Sequence, residues 1–316
     1  MRIPDVVTIG EAMALMIARQ PGPLAQVVEF ERATAGAELN VAVGLSRLGF
    51  QVGYITSLGQ DSLGSNLRDF MTAEGIDLRH VHTDPRYPTG FMLKSAVHDG
   101  TDPEVEYFRR GSAASYLSAA DMPPNGDDFR QARLLHLTGI SPALSTGCRK
   151  LVLELAAQAR ANGRIVTFDP NLRPRLWPSQ QEMIATLNAL AGMADVVMPG
   201  LAEGRLLTGR RHATDIADFY LALGARQVVI KLGAEGAYFA DARQRGIAPG
   251  LPVAKVVDTV GAGDGFAVGV ISALLEDLPL AAAAARGNAI GARVVQYRGD
   301  CEGLPDRAQL GEAHPP

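Results

Sequence analysis

Asp264 lies in the run Val256-Val257-Asp258-Thr259-Val260-Gly261-Ala262-Gly263-Asp264-Gly265-Phe266-Ala267, where a β-branched stretch meets a glycine-rich turn and then an alanine-rich segment. Glycines in such a turn let consecutive backbone N–H groups face one point without interference from Cβ atoms. The amino end of the helix that follows adds partial positive charge, so the turn forms an anion cradle. A carboxylate there binds anions poorly but is well placed to accept a proton beside a phosphate. Together these features suggest phosphoryl transfer. The amides of Gly261, Ala262 and Gly263 would stabilise developing charge while Asp264 deprotonates an attacking hydroxyl. Two plainer readings compete. One makes Asp264 a helix N-cap on an ordinary glycine turn. The other is a dinucleotide turn of the G-x-G-x-x-G type. Against it, Phe266 takes the sixth position, the run lies near the carboxyl terminus, and the Asp would oppose a pyrophosphate.

Strand–helix alternation supplies a frame for this turn. Val6 to Gly10 reads as a short buried strand. Leu39, Val41, Ala42, Leu45 and Leu48 form an apolar helical stripe, which Gly49 ends as a left-handed cap. Gln51–Ser57 is a second strand, and Ser62–Glu74 a helix closed by Gly75. The rhythm breaks at about 87–110. There two extended runs, Gly90–Val97 and Glu104–Arg109, flank the turn-rich His98-Asp99-Gly100-Thr101-Asp102-Pro103 and predict a β-hairpin. With the strand-like Val27–Arg32, the hairpin could form a small sheet standing off the main body as a lid. Alternation resumes with strands at Arg133–Leu137, Ile165–Asp169, Val196–Met198, Val228–Leu232, Ala237–Ala240 and Val253–Val257. Helices are predicted over Lys150–Ala161, Glu182–Ala191, Gly261 to about Glu276 and Pro279 to about Tyr297. The expected architecture is α/β, a doubly wound and mostly parallel sheet binding its ligand at the carboxyl edge of the strands.

Composition agrees with that frame. At 316 residues and 47% hydrophobic content, the chain can bury a large core without metals or disulfides. A net charge of −4 gives no general attraction for nucleic acid or anionic membranes. Cys148 and Cys301 read as two unrelated thiols, with a disulfide as the weaker alternative. The six histidines are scattered and form no zinc motif. The start, MRIPDVVTIGEAM, is neither a secretory signal nor a membrane span, and cytoplasmic residence is the default expectation.

The run DTVGAGDGF resembles the signature of the ribokinase-like (PfkB) carbohydrate kinases, and the resemblance extends over nearly the whole chain as one domain, 1–316. It implies that Asp264 is the base and that Gly261–Gly263 form the anion hole, with a lid from roughly 12–35 and 87–111. GAELNVAVGLSRLG at Gly36–Gly49 looks like the family's amino-terminal sugar-binding motif, so Gly36, Ala37, Glu38, Leu39 and Asn40 would line the sugar. Within the family the chain is most similar to the 2-keto-3-deoxygluconate kinases, through Tyr107–Ser115, Asp169-Pro170-Asn171-Leu172-Arg173 and Arg298-Gly299-Asp300. That likeness implies that Tyr107 and Arg109 descend from the lid, that Arg173 approaches both sugar acid and phosphate, and that Asp300 binds a substrate hydroxyl. Arginine forks suit a carboxylated substrate. Taken without the resemblance, Arg109 could be a solvated hairpin charge and Arg173 a salt-bridged surface residue. On the ATP side the resemblance implies Asn171, Arg173, Lys231, Gly233, Gly236, Gly261, Gly263 and Asn288. It implies Mg2+ as well, with Glu203 acting indirectly, and allows a monovalent cation such as K+ beside Asp258. A homodimer through the lid is a further expectation.

Three departures from the family pattern stand out. Ala35-Gly36 replaces the usual Gly-Gly, Gly200 replaces the Asn of an Asn-x-x-Glu ending at Glu203, and Met92 stands where close relatives often place a Tyr. Alongside the sugar-acid kinase, two alternatives stay open. They are a kinase for a neutral sugar such as fructose, and a sugar sensor that has lost catalysis.

Overall fold

The computed structural model describes residues 3–96, 103–124 and 127–313. The chain opens with β1 (Val6–Ile9), β2 (Met13–Ala18) and β3 (Phe30–Ala35). Next come α1 (Ala37–Arg47), β4 (Val52–Gly59), α2 (Ser62–Ala73) and β5 (Asp77–Asp84), then β6 (Phe91–Lys94) and β7 (Val105–Phe108). Alternation returns with β8 (Leu134–Thr138), α3 (Ser141–Leu144), α4 (Thr146–Ala161), β9 (Ile165–Asp169), α5 (Gln180–Met193) and β10 (Val196–Val197). It continues through α6 (Leu201–Thr208), α7 (Ala213–Leu223) and β11 (Gln227–Lys231). The chain closes with β12 (Gly236–Asp241), β13 (Arg245–Pro249), α8 (Ala262–Leu275), α9 (Leu280–Val294) and α10 (Arg307–Ala313).

Among the described residues, nine strands form the main sheet in the order β13-β12-β11-β10-β9-β8-β1-β4-β5. Only β12 runs against its neighbours, so the sheet is mostly parallel as expected. Its inner strands are apolar along their whole length because both faces are covered. All eight residues of β4 and all five of β8 are buried. Neighbouring residues serve opposite faces. Val6 packs in the core with Leu39, Leu67, Val268 and Ile290 from α1, α2, α8 and α9. Val7 packs in the other with Leu151, Leu187 and Ile216 from α4, α5 and α7. Each fully buried Val or Leu contributes about 1.5–3 kcal/mol, so these two layers supply much of the stabilisation of the fold. Cys148 and Cys301 are buried and free. No helix among the described residues is long and apolar enough to cross a membrane.

The second sheet has, among the described residues, four strands in the order β3-β2-β6-β7, around Met13, Leu15, Ile17, Ala35 and Met92. Strands β6 and β7 pair antiparallel, Met92 opposite Tyr107, which is the expected hairpin. Of its turn, His98–Asp102 lies outside the described residues. The strand expected at Val27–Arg32 starts later, at Phe30, and runs to Ala35. Three ties dock this sheet on the segments before α8 and after α9. Lys94 contacts Asp258 and Asp300, Arg298 donates to the Ala18 carbonyl, and Thr34 Oγ1 meets Cys301 Sγ at 3.7 Å.

One predicted strand is absent. Val253–Val257 pairs with no strand, because Arg245–Pro249 has already taken the edge beside β12. The segment instead leads to the end of α9, where the amides of Val257 and Asp258 donate to the Val295 carbonyl. Val256 is exposed there.

Candidate active site

A cleft of about 340 Å³ opens between the small sheet and the carboxyl ends of the main strands, within the size range of small-molecule sites. Met13, Met92 and Tyr107 line it from the small sheet. From the main body come Asn171 after β9, Lys231 at the end of β11, and the turn from Thr259 to Asp264.

Asp264 stands in the first turn of α8, whose N-cap is Gly261 at φ 83°. A side chain at Gly261 would collide with the Asp300 carbonyl oxygen, so glycine is required on both counts. The Asp264 carboxylate accepts from Asn40 Nδ2 at 2.7 Å and faces Asn171 Nδ2 at 3.4 Å. Asn40 is aimed by α1, which begins at Gly36 with φ 140°; a Cβ there would lie 2.5 Å from the Glu11 carbonyl oxygen. Asn171 itself adopts φ 38°, a region that Asn tolerates better than most residues. The N-cap reading fails, since the cap is Gly261 and Asp264 lies inside the helix.

Electrostatics single out the same carboxylate. Burial pushes the Asp264 carboxyl up to about 7; the Asn40 bond pulls it back, and the Asp169 and Asp300 charges push it further. A base poised near neutrality suits proton removal at neutral pH. Lys231 Nζ lies 2.6 Å from the buried Asp169. Burial alone would lower Lys231, but Asp169, Glu203 and Asp264 reverse the effect and keep it charged. Lys231 Nζ is also 3.6 Å from where a Gly263 side chain would begin, beside the glycine-rich turn.

The other expected residues divide into groups. Gly36, Ala37, Asn40, Tyr107, Arg109, Asn171, Arg173, Glu203, Lys231 and Asp300 line the cleft with Asp264. Glu38 and Leu39 do not. Consecutive residues of a helix point in different directions, so both turn into the core. Leu39 is fully buried, and Glu38 accepts from Thr138 Oγ1 at 2.6 Å and Ser141 Oγ at 2.7 Å. Gly233 and Gly236 bracket the turn between β11 and β12, outside the cleft lining. Asn288 also lies off it, donating to the carbonyls of Ala248 and Pro249 and so tying α9 to β13.

Arg109 is not a solvated charge. Its Nε donates to Glu11 at 2.7 Å and its Nη2 meets the same oxygen at 2.5 Å, while Ser112 donates to the other. Arg173 donates to the Leu172 carbonyl at 2.9 Å, and no acidic side chain pairs with it among the described residues. Glu203 accepts from the Leu172 amide at 2.7 Å and the Gly200 amide at 2.6 Å. The latter is the N3-to-N-cap half of a capping box on α6, so the backbone of Gly200 still holds this carboxylate where the family pattern has Asn. Asp258 accepts from the Val260 amide and contacts Lys94. Sequence reasoning missed Glu11, Lys94 and the partnership of Asp169 with Lys231. A lysine closing the apolar strand Phe91-Met92-Leu93-Lys94 was the available signal.

Residues 4–307 match the family described as pfkB family carbohydrate kinase. The chain is 49% identical to 2-dehydro-3-deoxygluconokinase of Bacillus subtilis, over 97% of this chain and 94% of that one. A solved PfkB protein from Polaromonas sp. JS666 is 50% identical with TM-score 0.90, covering 98% of this chain and 99% of that one. The E. coli structure of a putative ribokinase II in complex with ATP and Mg2+ is 26% identical, also with TM-score 0.90, covering 98% of each. An acidic residue in the first turn of a helix that opens on a glycine-rich turn, a doubly wound sheet, a small second sheet over the cleft and a family match across almost the full length lead to one assignment: this chain belongs to the pfkB family of carbohydrate kinases.

Proposed function

We propose that the chain transfers the γ-phosphoryl group of ATP to the terminal hydroxyl of 2-keto-3-deoxygluconate. The carrying observation is that Asp264 shares one cleft with two guanidinium groups, Arg109 and Arg173. A neutral sugar needs no such forks, whereas a sugar acid offers them a carboxylate. The 49% identity to a 2-dehydro-3-deoxygluconokinase supports the same substrate.

In this reading Asp264 takes the proton of the attacking hydroxyl, which then displaces ADP in line. Asn40 and Asn171 hold the carboxylate in place, and the amides of Gly261–Gly263 receive the charge that develops on the transferred group. Lys231 adds a positive charge at the cradle. Glu11 holds Arg109 rigid through Nε and Nη2, leaving its other edge for the substrate carboxylate. Arg173 reaches the sugar acid and the phosphate. Asp300 binds a hydroxyl, and Tyr107 and Met92 cover the sugar from a sheet that acts as a lid. On the nucleotide side we place the Gly233–Gly236 turn and Asn288. Magnesium arriving with ATP would offset phosphate charge, and Glu203 is the carboxylate placed to act on it through water. The exposed Phe108, stacked on Phe91 with centroids 4.6 Å apart, supports the small sheet as the meeting place of two copies.

A coupled ADP-release assay across sugar acids and neutral sugars tests the substrate. The expected result is highest kcat/KM for 2-keto-3-deoxygluconate. Higher kcat/KM for fructose would replace this reading with the neutral-sugar kinase, and binding without ADP release on every sugar would favour the sensor.

A further inference from the structure

The family resemblance allows a monovalent cation behind the anion hole, held in part by Asp258. The residues of this chain do not fit one. Lys94, the last residue of β6, is 1% exposed, and its Nζ lies 2.5 Å from Asp258 Oδ2 and 3.1 Å from Asp300 Oδ1. An ammonium has the same single charge as K+, and this one already sits on one oxygen of each carboxylate that a metal beside Asp258 would use. The other Asp258 oxygen already accepts from the Val260 amide at 3.1 Å. A metal seated on the same carboxylates would meet the Lys94 ammonium at close range, and the two like charges would repel.

The position of this charge matters to the reaction. Asp258 and Asp300 are 5% and 4% exposed, and two such carboxylates without a counter-charge would be strongly destabilising, as when a buried pair loses one partner. Asp258 also anchors the turn that runs into Gly261, and the backbone of Asp300 packs directly against Gly261. Whatever neutralises these two residues therefore fixes the backbone that carries the anion hole and Asp264. Here the neutralising group is covalently part of the small sheet, so the charge arrives when that sheet docks.

We propose that Lys94 is a built-in cation: a positioning residue that replaces the monovalent metal behind the catalytic turn and frees this kinase from any requirement for K+. The proposal rests on the kinase reading above, but cation binding can be tested apart from it.

Turnover and melting temperature are measured on the full chain with ATP and Mg2+ in tetramethylammonium, sodium, potassium or ammonium chloride at equal ionic strength. The wild type is expected to vary by less than about twofold in kcat across the four salts and to show no melting shift specific to K+. Lys94→Ala should lose about tenfold or more in kcat in tetramethylammonium and recover severalfold in K+ or NH4+, with K+ now raising its melting temperature. Tenfold activation of the wild type by K+, or stabilisation of it by K+ over tetramethylammonium, overturns the proposal. A folded Lys94→Ala that loses activity with no rescue by any small cation does so as well. Should Lys94→Ala fail to fold, the wild-type comparisons still decide. If no sugar is turned over in any salt, the substrate reading fails, and the melting comparison alone decides for or against the built-in cation.

Discussion

Asn40 in α1 donates to Asp264 in α8 at 2.7 Å, joining two helices 224 positions apart in the chain. The bond favours the charged carboxylate, whereas burial and the neighbouring Asp169 and Asp300 favour the neutral one. The balance leaves the group near 7, so the activity of the free enzyme should fall as pH drops through that value.

Removing the donor should move that balance. In Asn40→Ala the acidic limb of the kcat/KM profile is expected to shift upward by about one to two pH units, since a hydrogen bond to a charged group is worth about 1.5–3 kcal/mol. Activity lost near neutrality should return in part at about pH 9. An unshifted profile would show that Asn40 does not act through Asp264.

The same carboxyl makes a stability prediction with a definite sign. Its folded value lies above the ordinary 3.8, at about 7, so its proton is held more tightly in the folded state. The associated stability is fully present below pH 3.8 and is lost as pH rises through 7. Asp264→Asn avoids that loss and should be more stable than wild type at about pH 8, by about 1–3 kcal/mol, with the gap closing toward about pH 4. Melting curves across pH would check it; a less stable variant at pH 8 would contradict it.

Glu11 is 1% exposed and depends on Arg109 for its counter-charge. Arg109→Ala should therefore destabilise the fold by about 3–5 kcal/mol, while Glu11→Gln with Arg109→Met should recover much of that loss. Urea unfolding of the single and double variants measures both. A single variant within about 1 kcal/mol of wild type would mean that the pair is not buried in solution.

Gly261→Ala asks an L-residue to adopt φ 83° against the Asp300 backbone. It should cost about 1–3 kcal/mol in stability from the backbone alone. A displacement of the cradle by about 1 Å would lower kcat by about a hundredfold. Retained kcat would show that the amides there receive no charge.

The sequence makes this site legible where the chemistry is local. The glycines, Asp264 and the helix behind them occupy a single run, and their spacing alone dictates an amide cradle. Helical periodicity then limits what a contiguous motif can say. Gly36–Asn40 reads as five lining residues, yet the turn of α1 sends Glu38 and Leu39 into the core. The β-branched Val253–Val257 reads as a strand, but a sheet edge is set by which segment arrives beside β12, not by propensity. The polar β5 hides for the opposite reason, because an edge strand needs no apolar run. Pairs such as Glu11 with Arg109 and Lys94 with Asp258 join residues distant in sequence, and only the fold brings them together.

The central claim is tested most directly by the turnover number of Asp264→Asn with ATP, Mg2+ and 2-keto-3-deoxygluconate, on protein shown by its melting curve to be folded. Loss of general-base catalysis predicts a fall in kcat of about a hundredfold to ten-thousandfold. A kcat within about tenfold of wild type would contradict Asp264 as the base, and with it the mechanism built on its carboxylate.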